Sequence, residues 1–116
     1  MGFYSEVQIV AEKFAFEKLK PIFERNFFYI KIDERDNFGT IRLDCVKWYR
    51  DFPEVQKVND ALRELRSDDF STKEGFGFKM IILNEDDTHG EMFNLRGDEM
   101  FCDLTVRCEI DNPYLT

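Results

Sequence analysis

The chain has no run of Lys or Arg, and its formal net charge is −8. Nucleic acid held through its phosphates needs positive charge along the contact, so direct nucleic-acid binding is not expected. A single histidine, His89, is present, and any Ser–His or Cys–His pair would have to use it. Ser5, Ser67 and Ser71 lie in no nucleophile motif, so hydrolysis through His89 is not expected either. The three Cys are an odd number without CxxC or metal-ligand spacing. That argues against a disulfide framework and predicts buried, reduced thiols. No apolar run approaches a membrane span, and the N-terminal residues lack the charged and apolar regions of a signal peptide. A soluble protein of the cytoplasm is the expectation. A phosphate-cradling loop is missing too. Gly75 and Gly77 stand close together but lack the Lys and the strand-to-helix context, so they read as a strand entry where another backbone comes near.

What is present is apolar and aromatic. Thirteen Phe and a hydrophobic fraction of 43% give a chain of 116 residues the material for a core. At this size folding buries roughly two thirds of the surface of the unfolded chain. One domain over residues 1–116 is expected, with no repeat, low-complexity tract or linker.

Val7 and Ile9 mark a first strand. A helix over residues 11–25 follows, with Ala15, Leu19 and Ile22 on one face, widened by Phe16 and Phe23. Pro21 lacks the N–H that would bond back to Glu17, which predicts a kink or a restart. Phe28, Ile30 and Ile32 alternate with polar neighbours, and so do Ile41, Leu43 and Cys45. Turn residues between them make the pair a hairpin. A second helix is expected from near Asp51, with Asp51 and Glu54 at capping-box spacing and Pro53 in the first turn. Val55, Val58, Leu62 and Leu65 recur at helical spacing and face a sheet. After a polar loop over 66–75, Phe76, Phe78, Met80 and Ile82 open a strand that becomes apolar on both faces, as a central strand does. An acidic turn, a short strand at 92–95 and a turn at 96–98 come next. Met100, Cys102, Leu104, Val106, Cys108 and Ile110 then alternate without a break, the cleanest strand pattern in the chain. The order is βαββα followed by two or three strands. It predicts an α+β, two-layer sandwich: a mainly antiparallel sheet, ferredoxin-like in order, with two helices on one face and the other face free.

Two segments carry a resemblance. Gly2-Phe3-Tyr4-Ser5-Glu6-Val7 opens the chain, and Val46-Lys47-Trp48-Tyr49-Arg50-Asp51-Phe52-Pro53-Glu54-Val55 lies in its middle. The strand over 78–83 running into Glu85-Asp86-Asp87 matches more weakly. Together they resemble a group of small accessory proteins of tailed bacteriophages, whose members carry a GYYS(D/E)V start and a VKWY segment before the second helix. The chain departs from that pattern at Asn84, where members often carry Gly. The resemblance implies a protein made in the cytoplasm of an infected bacterium that inhibits or redirects a host factor, in defence or in other machinery, by binding. It brings no catalytic residues with it.

The candidate binding residues are Trp48, Tyr49, Arg50, Glu85, Asp86, Asp87 and Arg107. Trp and Tyr are favoured interface anchors and stacking platforms, with plain core packing as the alternative. Arg50 can hold a phosphate or carboxylate, or be a solvated side chain near the helix start. Glu85, Asp86, Asp87, His89 and Glu91 form the densest polar cluster. They match no calcium loop, so a solvated hairpin tip is expected and no metal or cofactor is assigned. Three functions compete. The first is a non-enzymatic protein binding a host bacterial protein with a basic surface. The second is a sponge for a nucleotide messenger, with rings on the bases and Arg50 or Arg107 on the phosphates. The third is a metal-dependent nuclease. A homodimer through the 100–110 strand is expected if that strand lies at a sheet edge.

Overall fold

A computed structural model describes residues 4–106 and 110–114 of the chain. The protein is α+β. A five-stranded antiparallel sheet has the order β2-β3-β1-β4-β5, built from β1 (Ser5–Glu12), β2 (Ile30–Glu34), β3 (Phe38–Val46), β4 (Phe78–Asn84) and β5 (His89–Phe93). The first four strands have the ferredoxin-like arrangement, and β5 extends it beyond β4. Helix α1 (Lys13–Asn26) follows β1, and α2 (Pro53–Leu65) follows β3.

Period-two alternation sorts β1 into two cores. Val7, Ile9 and Ala11 point to the helices, where Ala15, Phe16, Leu19 and Phe23 of α1 meet Val58, Leu62 and Leu65 of α2. Each fully buried Val or Leu there contributes roughly 1.5–3 kcal/mol of transfer free energy. Pro21 neither ends nor restarts α1. It lies on the exposed side of one continuous helix, where the Glu17 carbonyl it leaves unbonded faces water. The expected capping box does not form. Pro53 takes the first helical position, which moves the cap to Phe52, and no side chain caps α2.

The opposite face of the sheet is not free. Val10 and Ile81 form a second core with Phe101, Leu104 and Ile110, flanked by Phe38 and Tyr114. The stretch expected as one long strand from Met100 to Ile110 supplies this cover. Its first residue instead ends a helix, α3 (Leu95–Met100), and a turn then leads to a small two-stranded sheet of β6 (Thr105–Val106) and β7 (Ile110–Asp111). Residues 107–109, with Cys108 and Arg107, lie outside the described residues. Among the described residues the 100–110 stretch therefore supplies no strand to the main sheet, whose edges are β2 and β5.

A buried polar hub fixes α3 against β4. Asn94 caps α3, accepting from Gly97 N–H at 2.8 Å and Phe78 N–H at 3.1 Å. Its amide donates to the carbonyls of Leu65 at 3.0 Å and Phe76 at 2.8 Å. Beside it the buried Glu12 carboxylate accepts from both Arg96 Nε and Arg96 Nη2, the latter at 3.0 Å, and from Gly77 N–H at 2.9 Å. Gly97 sits where a Cβ would lie 1.8 Å from the Phe78 carbonyl oxygen, so the turn expected at 96–98 is a helix whose backbone touches β4.

Candidate functional site

Strand register brings the acidic 84–88 turn, the start of β1 and the connection into β2 to one end of the sheet. Ser5 of β1 pairs with Val46 of β3 and Asn84 of β4, and Ile30 of β2 pairs with Leu43. The starts of β1 and β2 and the ends of β3 and β4 therefore share that end. The connection from α1 into β2 and the acidic 84–88 turn emerge there.

The α1–β2 connection presents two bare rings. Phe27 closes α1, its N–H bonding Phe23 O at 3.1 Å, and its ring packs on Phe23 at 5.6 Å and Trp48 at 5.5 Å. With Phe27 held down and pairing resuming only at Ile30, Phe28 and Tyr29 must span the gap. They are 96% and 90% exposed. Exposed aromatic side chains in adjacent positions leave apolar area in water that a partner would bury. Beside them lies a hollow of about 320 Å³ lined by Tyr4, Phe27, Phe28, Tyr29, Phe52 and Cys45.

A bulge shapes the rim of that hollow. Between Ser5 and Val7 of β1, strand β3 carries one residue more than its partner. Cys45 absorbs it with φ of 53°, a left-handed conformation that costs a non-glycine residue about 1 kcal/mol. The bend turns Cys45 outward. Cys45 and Cys102 are both exposed free thiols, against the expectation of burial, because one lies on the bulge and the other in the turn after α3.

An acidic shelf adjoins the aromatic rim. A second hollow, about 400 Å³, shares Tyr4, Asp44 and Cys45 with the first and is walled by Glu6, Glu85 and Asp87. The turn is docked onto β1: Glu85 N–H donates to Tyr4 O at 3.1 Å, and Ser5 Oγ donates to Asn84 Oδ1 at 2.6 Å. Asp86 accepts from the Thr88 hydroxyl and from Thr88 N–H at 3.2 Å, which holds its carboxyl below the usual carboxylate range. Burial pushes Asp44 up, but hydrogen bonds from Arg42 and Lys31 outweigh it and leave that carboxyl lowered as well. Asp44 and Asp86 thus stay ionised at neutral pH. Lys47 lies over the Tyr4 ring at 5.4 Å.

The residues singled out from sequence fare differently. Glu85, Asp86 and Asp87 stand exposed on this shelf. Trp48 belongs to the helix-side core, stacked near Phe27 and Phe23, so its ring serves packing. Tyr49 is half-buried and meets Phe52 edge-on at 5.1 Å. Neither is on a strand, because β3 ends at Val46. Arg50 is exposed but lines a different hollow, between α2 and β5. Phe28 and Tyr29, the most exposed rings among the described residues, were expected as the start of an alternating strand. The missed signal is three consecutive aromatic residues, Phe27 to Tyr29, at the helix exit.

Among the described residues no group of three or more His, Cys, Asp or Glu side chains could hold a metal ion. Among the same residues no helix is long and apolar enough to cross a membrane. No protein-family model, curated protein or solved structure matches the chain.

Proposed function

We propose that this protein is a non-catalytic binding protein that holds a protein partner against the aromatic end of its sheet. One observation carries the reading: Phe28 and Tyr29 are almost wholly exposed beside an apolar hollow of about 320 Å³. Anchors of this kind supply most of the affinity in an interface when they enter a desolvated pocket. Glu6 and Asp44 are paired with Arg42 and Lys31, so Glu85, Asp86 and Asp87 of the adjoining turn supply the excess negative charge, and the protein's net −8 reinforces it at longer range. A partner with a basic surface around an apolar knob fits that pattern. Charge would speed encounter and set orientation, and the rings would hold. The resemblance to phage accessory proteins supports a host bacterial factor as the partner, inhibited or redirected by being occupied.

Capture from a bacterial lysate at low salt tests the proposal. The native protein retains a specific partner; the double variant Phe28→Ala, Tyr29→Ala loses it with its own unfolding midpoint unchanged. A partner retained equally by the double variant, or none retained by the native protein, defeats the reading.

A further inference from the structure

The hollow between α2 and β5 has the opposite character from the rest of this acidic protein. It measures about 540 Å³, within the usual size range of small-ligand sites. Three guanidinium groups line it: Arg50 from the β3–α2 connection, Arg63 from α2 and Arg66 just beyond. The chain has 24 acidic residues against 16 basic ones, so a cluster of cations without acids beside it runs against its overall charge. Arg35, Arg42 and Arg96 are all ion-paired. Among the described residues Arg50 and Arg66 have no ion-pair partner, although each faces the same trough. Arg63 pairs with Asp60 at 3.3 Å, but both side chains are largely exposed. A pair of that kind is worth little and opens easily.

The walls suit the uncharged part of a ligand. Gln56 and Asn59 present amides from α2, and Met92 from β5 gives an apolar surface. Asn59 Oδ1 is buried behind this wall without a hydrogen-bond partner. Gly90 shares the Met92 face of β5, and a Cβ there would meet nothing within 4 Å. The trough is therefore open along the strand. Charge at a distance does not cancel the local field, because screening confines it to about 8 Å at physiological ionic strength.

We infer that this trough binds a small phosphorylated ligand carrying two or more phosphate charges. Guanidinium groups match phosphate oxygens in pairs, and three of them offset by one carboxylate leave an excess suited to a dianion or more. Trp48 takes no part in this site, which is separate from the aromatic end of the sheet, so neither proposal depends on the other.

Isothermal titration calorimetry of the full chain with pyrophosphate, a nucleoside diphosphate and inorganic sulfate tests it. Pyrophosphate and the nucleotide bind saturably at one site, sulfate at least tenfold more weakly, and added salt weakens all three. Equal affinities for the first two assign recognition to the phosphates; tighter binding of the nucleotide extends it to Gln56, Asn59 and Met92. Arg50→Gln and Arg66→Gln each weaken binding by about tenfold while the unfolding midpoint stays put, and Phe28→Ala leaves affinity unchanged. No saturable binding of pyrophosphate or nucleotide at millimolar concentration overturns the inference. So does affinity that survives the double substitution Arg50→Gln, Arg66→Gln.

Discussion

Replacing Gly97 by Ala sets two effects of known size against each other. Gly97 is inside α3, where Ala is ordinarily the better helix former by about 1 kcal/mol. Its added Cβ, however, would stand 1.8 Å from Phe78 O and 2.4 Å from Phe78 C. Those are backbone atoms in the interior of the sheet, and no rotamer change relieves the overlap. Reaching ordinary contact requires α3 to retreat by roughly 1.5 Å, and overpacking of this kind costs about 1–3 kcal/mol or more. The retreat also stretches the Asn94 cap on Gly97 N–H, now 2.8 Å, which is worth about 1 kcal/mol. The steric term wins. We expect Gly97→Ala to lose about 3 kcal/mol, a fall in Tm of about 10 °C for a domain of this size. Urea unfolding followed by circular dichroism measures it. Gly90→Ala is the control, since its Cβ meets nothing within 4 Å and its stability should hold within about 0.5 kcal/mol. A Gly97→Ala protein as stable as the native one would show that α3 does not press on β4, and the account of the second core would fail with it.

Other substitutions probe the remaining elements. Asn94→Asp places a carboxylate against the carbonyls of Leu65 and Phe76 in a site that is 2% exposed, and unfolding experiments at neutral pH should show a loss above about 3 kcal/mol. Leu62→Ala empties a fully buried position between α2 and the sheet and should cost about 2–5 kcal/mol in the same assay. Cys45→Gly removes the left-handed strain at the bulge and should leave stability equal or raise it by up to about 1 kcal/mol, whereas Cys45→Val should lower it. Asp44 has a folded pKa below its unfolded one, so its contribution is present above the unfolded carboxylate value and fades as pH falls through the folded value. Its side chain is 38% exposed, so Asp44→Asn should flatten the acid limb of a stability–pH profile by only a few tenths of a kcal/mol, at about the level of a surface pair.

The split of this fold between what was legible and what was not follows from the length over which a pattern repeats. Val55, Val58, Leu62 and Leu65 span nearly three turns of α2, and all four are fully buried as their spacing requires. The β2–β3 hairpin and the apolar β4 were equally readable, since each pairs over several residues with at least one face in a core, and β4 with both. Alternation misled only where no ladder enforces it. Met100, Cys102, Leu104, Val106 and Ile110 satisfy a period of two, yet Met100 ends a helix, Cys102 sits in an exposed turn, and Leu104 fills the second core. A short helix and a tight turn place alternate residues inward as readily as a strand does. What decides between them is the four-bonded Asn94 and the missing side chain of Gly97, whose partners on Leu65, Phe76 and Phe78 are distant in sequence.

The same reasoning explains the division at the candidate sites. The acids of the 84–88 turn were legible because a run of charge next to Asn and Thr has few places to go but a solvated turn. Core packing was legible for one ring of the Trp48–Tyr49 pair but not which one, because the rings that cover Trp48, Phe23 and Phe27, arrive from another element. Once those rings fill the end of the helix-side core, Phe28 and Tyr29 have no room beneath the layer, and exposure is forced on them rather than chosen residue by residue. Exposure forced by packing would be a solubility cost with no return in an isolated protein. Under the proposed binding role the neighbouring hollow and acidic shelf would give those two rings a physical use, and loss of binding without loss of stability in Phe28→Ala, Tyr29→Ala is what separates use from cost.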